Sequence, residues 1–267
     1  MRLLLVTAAL AAHALLMPAA HAAEPFKPYD AFSERPLDPA RWQDSERSRV
    51  IKGGAMHLMQ RTWGSDASDF NLTALNWNTP FAHPATINQM RARVTVNALE
   101  TNACPTNSVV ADSRARLIGG FFNIGTATPG SMLYDVIAQL RLVRFSNSSD
   151  AAGVLRVQGV ASLCLSADCN SSTTLGNVVD LGTAAIGKAT TVELQWDEAA
   201  KSFHFSRDSG AYAGTVGYSF AVSNPPGVPF RQMATRVNAP NCQSAPRVSG
   251  MIDAKFDNIF VNQSAQP

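Results

Sequence analysis

Ten side chains able to grip a polar ligand recur at alternating positions of this sequence: Arg91, Arg93, Arg116, Asp135, Gln139, Arg141, Arg156, Gln158, Glu193 and Gln195. Guanidinium, amide and carboxylate groups are planar and make paired hydrogen bonds, so this set suits sugar hydroxyls or the acidic substituents of a glycan. The chain holds 17 Arg against 5 Lys, a bias that favours two-point recognition of carboxylate or sulfate. A GC-rich coding bias would give the same ratio, and a solvated sheet face laced with weak ion pairs would give the same alternation.

Two further chemistries have candidates. Trp63 and Trp77 stand with Phe70 and Phe81 in a stretch read as a loop, 62–85. Indole faces stack well on pyranose rings, although buried loop anchors have the same composition. Glycan hydrolysis needs two carboxylates flanking one bond, and Asp135 with Glu193 is the pair available for it. The neighbours of Asp135 are Gln139 and Arg141, which favour holding a ligand over cleaving one. No Gly-x-Ser-x-Gly, His-Glu-x-x-His or P-loop pattern occurs. Gly119-Gly120 lies inside an expected strand and reads as a bulge or a close sheet contact. The net charge of +2 argues against nonspecific attraction to nucleic acid.

Strands must position these groups, because period-two alternation recurs where helical periodicity does not. Met132–Phe145 carries Met132, Tyr134, Val136, Ala138, Leu140 and Leu142 on one parity and Asp135, Gln139 and Arg141 on the other. Similar runs are expected at 55–61, 87–99, 114–123, 153–164, 191–196, 202–207, 215–221, 230–238 and 251–261, separated by turn-forming segments such as Ser223-Asn-Pro-Pro-Gly227. A hairpin turn is expected at Glu198–Lys201. One-sided burial on many short strands implies a two-layer antiparallel sandwich.

The first 22 residues read as a secretory signal peptide: Arg2, an apolar run from Leu3 to Leu16, then Ala20-His21-Ala22. Residues 23–267 then form one exported domain, secreted or periplasmic, with no membrane span. Four cysteines in that region imply two disulfides. Three connectivities are open. Cys164–Cys169 is expected as a local clamp and Cys104–Cys242 as a long staple, since Cys104 and Cys242 sit in similar polar loops just after strands. Zinc is disfavoured, because no CxxC occurs and His57, His83 and His204 are scattered.

Three local patterns resemble the concanavalin A-like lectin/glucanase superfamily, which includes laminin-G-like modules. Tyr29-Asp-Ala-Phe32, Leu37-Asp38-Pro39-Ala-Arg-Trp42 and Val50–Leu58 look like its opening run. Val192-Glu-Leu-Gln-Trp196-Asp197 with Phe203-His-Phe205 looks like its penultimate hairpin, and Met251–Val261 is similar to its closing strand, which returns beside the first. The resemblance implies an all-β, two-sheet antiparallel jelly-roll sandwich. It also implies a possible structural calcium on Asp257 with Asp30 or the Gly53 carbonyl; no other cofactor is expected. The Glu-x-Asp-x-x-Glu run of the laminarinase branch is absent, as are the Gln-Ile-His and Tyr-rich strands of alginate-lyase types. The expected role is therefore noncatalytic binding of a polysaccharide or cell-envelope glycan. Its rivals are a hydrolase or lyase with an unrecognised site, and a structural or adhesive envelope protein without a small ligand.

Overall fold

Runs that alternate apolar and polar residues bury one strand face and wet the other, and such strands dominate the structure. The computed structural model describes residues 45–66, 71–243 and 245–265, all within one unit, Asp38–Pro267. The first 22 residues and the Tyr29–Trp42 patterns lie outside the described residues. In chain order the strands are β1 (Glu46–Lys52), β2 (Ala55–Trp63), β3 (Leu72–Pro80), β4 (Gln89–Thr101), β5 (Asp112–Asn123), β6 (Asp135–Phe145) and β7 (Val154–Cys164). They continue with β8 (Ser172–Ala185), β9 (Ala189–Asp197), β10 (Ser202–Arg207), β11 (Tyr212–Gly217), β12 (Phe230–Pro240) and β13 (Ser249–Val261).

Two antiparallel sheets form the jelly-roll sandwich: sheet A, in the order β1-β2-β13-β4-β9-β10-β11, and sheet B, in the order β3-β12-β5-β6-β7-β8. The closing strand β13 returns to lie between β2 and β4. The β9–β10 hairpin forms with its turn where expected, Lys201 N donating to Glu198 O at 3.2 Å. Three strands correct the sequence reading. β1, β3 and β8 are all sheet edges, and β3 occupies much of the stretch read as a loop.

The core lies between the sheets. On β6 the apolar parity points inward, with Val136, Ala138, Leu140 and Leu142 all buried. Each such aliphatic side chain contributes roughly 1.5–3 kcal/mol by leaving water. Tyr134 breaks the expected alternation, because it is exposed with φ 66° and the strand begins after it. Facing β6 and β7 across the layer are Leu194, Phe203 and Phe205 of sheet A. The sheets approach closely at Gly159, where a Cβ would lie 2.2 Å from Phe205 Cγ.

Both expected disulfides form. Cys104–Cys242, with Cα atoms 5.7 Å apart, joins the loop after β4 in sheet A to the loop after β12 in sheet B. Cys164–Cys169, at 4.8 Å, closes the β7–β8 connection. On the chain-entropy model the long staple contributes about 5 kcal/mol and the short clamp about 2 kcal/mol.

Candidate functional site

Strand register sorts the ten expected ligand residues onto two different sheets. Arg91 and Arg93 lie on β4, and Glu193 and Gln195 on β9, all in sheet A. Arg116, Asp135, Gln139, Arg141, Arg156 and Gln158 belong to β5, β6 and β7 in sheet B. The expected single shared surface therefore does not exist. The outer face of sheet B keeps the denser set and is grooved.

Two like-charged pairs face each other across that outer face. Arg116 on β5 is the register partner of Arg141 on β6, and Arg114 on β5 is the partner of Arg236 on β12. Directly opposite side chains have Cβ atoms about 4.5–5.5 Å apart, and like charges so placed repel. A cavity of about 330 Å³ is lined by these four arginines with Gln139, Ser162, Asn170 and Thr174, and by no carboxylate. A second, of about 540 Å³, extends over Asn76, Asn78 and Gln232, shares Arg116, Arg236, Cys169 and Asn170 with the first, and has Asp168 in its lining. Together their linings draw on all six strands of sheet B.

Neutral amides aim most of these guanidiniums. Arg116 Nη1 donates to Gln139 Oε1 at 3.3 Å and Nη2 to Asn76 Oδ1 at 3.1 Å. Arg141 donates through Nε and Nη2 to Gln158 Oε1 at 3.2 and 2.9 Å. Arg236 Nε donates to Asn238 Oδ1 at 2.9 Å, and Asn238 in turn donates to Asp112 Oδ2 at 2.7 Å. Amide oxygens orient a cation without cancelling its charge. A carboxylate reaches the cluster from Asp112, whose Oδ1 lies 3.1 Å from Arg114 Nε. Arg114 and Arg116 are 8% and 6% exposed; the Nε of Arg114 faces Asp112, and that of Arg116 is buried without a hydrogen-bond partner.

Burial lowers the pKa of three of these guanidiniums, and like charges add to two of the shifts. Burial lowers the Arg114 guanidinium to about 10, Asp112 opposes that shift, and the charges of Arg141 and Arg236 add to it. Arg116 falls well below the usual arginine range through burial first, then through Arg114 and Arg236. Burial also lowers Arg141. The groove thus holds partly desolvated cations poised to gain from an anion.

The remaining sequence candidates have other roles. Asp135 is fully buried, and its Oδ1 accepts from Asn123 Nδ2 and Gly227 N at 2.8 Å while Oδ2 accepts from Val228 N at 3.1 Å. It anchors the loop before β12. Glu193 sits on the other sheet, accepting from Gln89, so these two carboxylates cannot flank one substrate bond. Arg156 is held by both oxygens of Asp150 at 2.6 and 2.7 Å and lies outside both cavity linings. Gln158 acts through Arg141.

The aromatic platform is also corrected. Trp63 ends β2 and is 6% exposed. Trp77 lies on β3, packs against the core and carries Arg47 at 5.5 Å from its ring centroid. Phe81 packs against the same core, and Phe70 lies outside the described residues. The calcium expectation named Asp257 with Asp30 or the Gly53 carbonyl. Asp257 Oδ2 faces Lys255 Nζ at 3.3 Å, and no three His, Cys, Asp or Glu side chains gather among the described residues. Asp30 lies outside them.

Sequence reasoning missed Arg114 and Arg236. The shared parity of Arg114 and Arg116 was the available signal for the first. No local signal marks Arg236, since its place beside Arg114 depends on β12 pairing with β5 across more than a hundred residues. Gly119-Gly120 does mark a bulge, where the β5–β6 register shifts between Gly120 and Phe122. A Cβ on Gly119 would lie 2.4 Å from Arg231 Cδ, so this pair makes room for a side chain and cradles no phosphate. Arg231 is itself buried, 3.6 Å from the Phe121 ring centroid, and donates to the carbonyls of Ile87, Gly120 and Phe230.

No family model and no curated protein matches the chain. Among solved structures it is similar to a family 7 alginate lyase, A1-II′, in complex with substrate, with a TM-score of 0.37, 13% identity and 81% of each chain covered. It is similar to the exoplasmic/lumenal domain of VIP36 in its Ca2+/Man-bound form, with a TM-score of 0.33, 8% identity and 84% of each chain covered. It is also similar to basic winged bean lectin with Tn-antigen, with a TM-score of 0.33, 11% identity, and 82% of this chain and 92% of that one covered. The site reading stands on the groove's own geometry.

Proposed function

We propose that this chain is an exported, noncatalytic β-sandwich that binds carbohydrate along the outer face of sheet B. The supporting observation is the groove crossing all six strands, where amides and guanidiniums that can bond sugar hydroxyls converge. The smaller cavity presents guanidinium, amide and hydroxyl groups, with no carboxylate, imidazole or phenol among its lining residues. Hydrolysis of a glycosidic bond normally calls on two carboxylates. Export is supported by the pairing of all four cysteines, which persists in oxidising compartments. No helix among the described residues is long and apolar enough to cross a membrane.

The test is a glycan array followed by titration calorimetry on the chain lacking residues 1–22. Binding is expected, with Gln139→Ala weakening it several-fold. Release of reducing ends or of unsaturated sugars from a bound polymer would overturn the noncatalytic assignment, and binding indifferent to Gln139→Ala would overturn the site.

A further inference from the structure

We infer that the sheet B groove selects acidic polysaccharides, gripping carboxylate or sulfate groups on successive sugars through Arg114, Arg116, Arg141 and Arg236. This rests on the carbohydrate-binding reading of the same face and names the ligand class. Three observations carry it. Four guanidiniums line one cavity without a carboxylate in that lining, and Asp112 beside it is shared between Arg114 and, through Asn238, Arg236. Amide oxygens of Asn76, Gln139, Gln158 and Asn238 hold three of the four in place while leaving their charge intact. Arg116 keeps a buried Nε–H with no partner.

A purely structural cluster would be expected to pair its charges, since opposed arginines cost stability. Salt-bridge partners are used readily elsewhere on the same sheet, as Arg156 with Asp150 shows. Neutral sugar hydroxyls would leave the repulsion in place, whereas an oxyanion accepting two parallel N–H bonds relieves it. Ligand length follows from the footprint. Six strands at about 4.8 Å spacing span roughly 24 Å, room for several sugars. Single-stranded nucleic acid is the less fitting polyanion, because the four-arginine cavity offers no aromatic ring for base stacking.

The experiment compares a polyuronate, a sulfated glycosaminoglycan, a neutral glucan and single-stranded DNA by calorimetry at two salt concentrations. Tight, salt-sensitive binding of the polyuronate or the sulfated polymer is expected, at least tenfold above the neutral glucan, and the preferred arm identifies the anionic group. The Arg141→Gln/Arg236→Gln double variant, both positions half-buried, should lose at least tenfold. Arg91→Gln on sheet A should lose nothing. Equal affinity for the neutral glucan, with the double variant still impaired, would overturn the acidic selectivity while the carbohydrate site stands. DNA bound as tightly as the glycans would also overturn it. Binding by no polymer in a variant-sensitive manner would overturn both readings. Should the double variant misfold, Gln158→Ala, which frees Arg141 without removing a charge, must still weaken binding several-fold.

Discussion

Sheets A and B each present an outer face studded with arginine, yet they treat that charge in opposite ways. On sheet A, Arg61 meets Glu46 and Glu100, Lys255 meets Asp257, and Arg91 covers the ring of Phe260 at 4.5 Å. Those ion pairs are partly buried and match each cation with an opposite charge. On sheet B, Arg116 opposes Arg141 and Arg114 opposes Arg236, with neutral amides between them. A balanced face is what a soluble sheet acquires by default. An unbalanced, partly buried face is a local departure from stability rules, and such departures concentrate where ligands are held.

Four substitutions and one titration would break or sharpen that contrast. The largest effect is expected from the two carboxylates once considered as a catalytic pair. Asp135→Ala removes the acceptor of three hydrogen bonds beneath the sheet B loop and should cost about 2–4 kcal/mol in urea unfolding. Glu193→Ala, on the solvated face, should cost less than about 1 kcal/mol. Equal costs would mean that Asp135 is not the anchor its contacts describe.

Arg116→Met comes next. Replacing a buried, repelled cation by an apolar chain of similar length should leave stability unchanged or raise it by about 1 kcal/mol. Acidic-glycan affinity should nevertheless fall at least tenfold. Arg91→Met on sheet A should shift neither quantity appreciably, staying within about 0.5 kcal/mol. A strong loss of stability in Arg116→Met would make the cluster a structural device.

The smallest effect is in pH. Burial lowers the Arg114 guanidinium to about 10, below the ordinary arginine range, so its charge in the free groove is lost as pH rises through about 10. Affinity for a polyuronate should weaken a few-fold between pH 8 and pH 10.5, followed by calorimetry, while the polymer stays ionised. The stability sign is the reverse. Above about 10 the unfolded chain keeps a proton that the folded one has lost, so this residue's contribution to stability rises with pH toward the ordinary arginine range.

How much of this was legible depended on where a strand sits in its sheet. Interior strands such as β6 have a dry face and a wetter one, and Val136 to Leu142 announced theirs by alternation. Edge strands do not. β1 is exposed along most of its length, β3 mixes Asn76, Asn78 and Pro80 among its apolar residues, and β8 bends through Gly176 and Gly182, both at positive φ. The site was legible as a residue type and a parity. It was not legible as a surface, because the assignment of Arg91 to one sheet and Arg116 to the other is set by pairings between distant segments. Arg114 was hidden further by context: every residue of β5 is buried, so the groove's floor reads as core.

One wall of that groove is covalently locked. Cys169 and its neighbour Asn170 line both cavities, and the bond to Cys164 pins their loop with Cys169 at φ 56°. Immobilising a mobile side chain when a partner arrives costs roughly 0.5–1.5 kcal/mol each. Here that ordering is complete at folding, so a polymer meets a finished surface. Its capture should resemble docking rather than loop closure, with an on-rate governed by diffusion and long-range charge attraction and steeply reduced by salt.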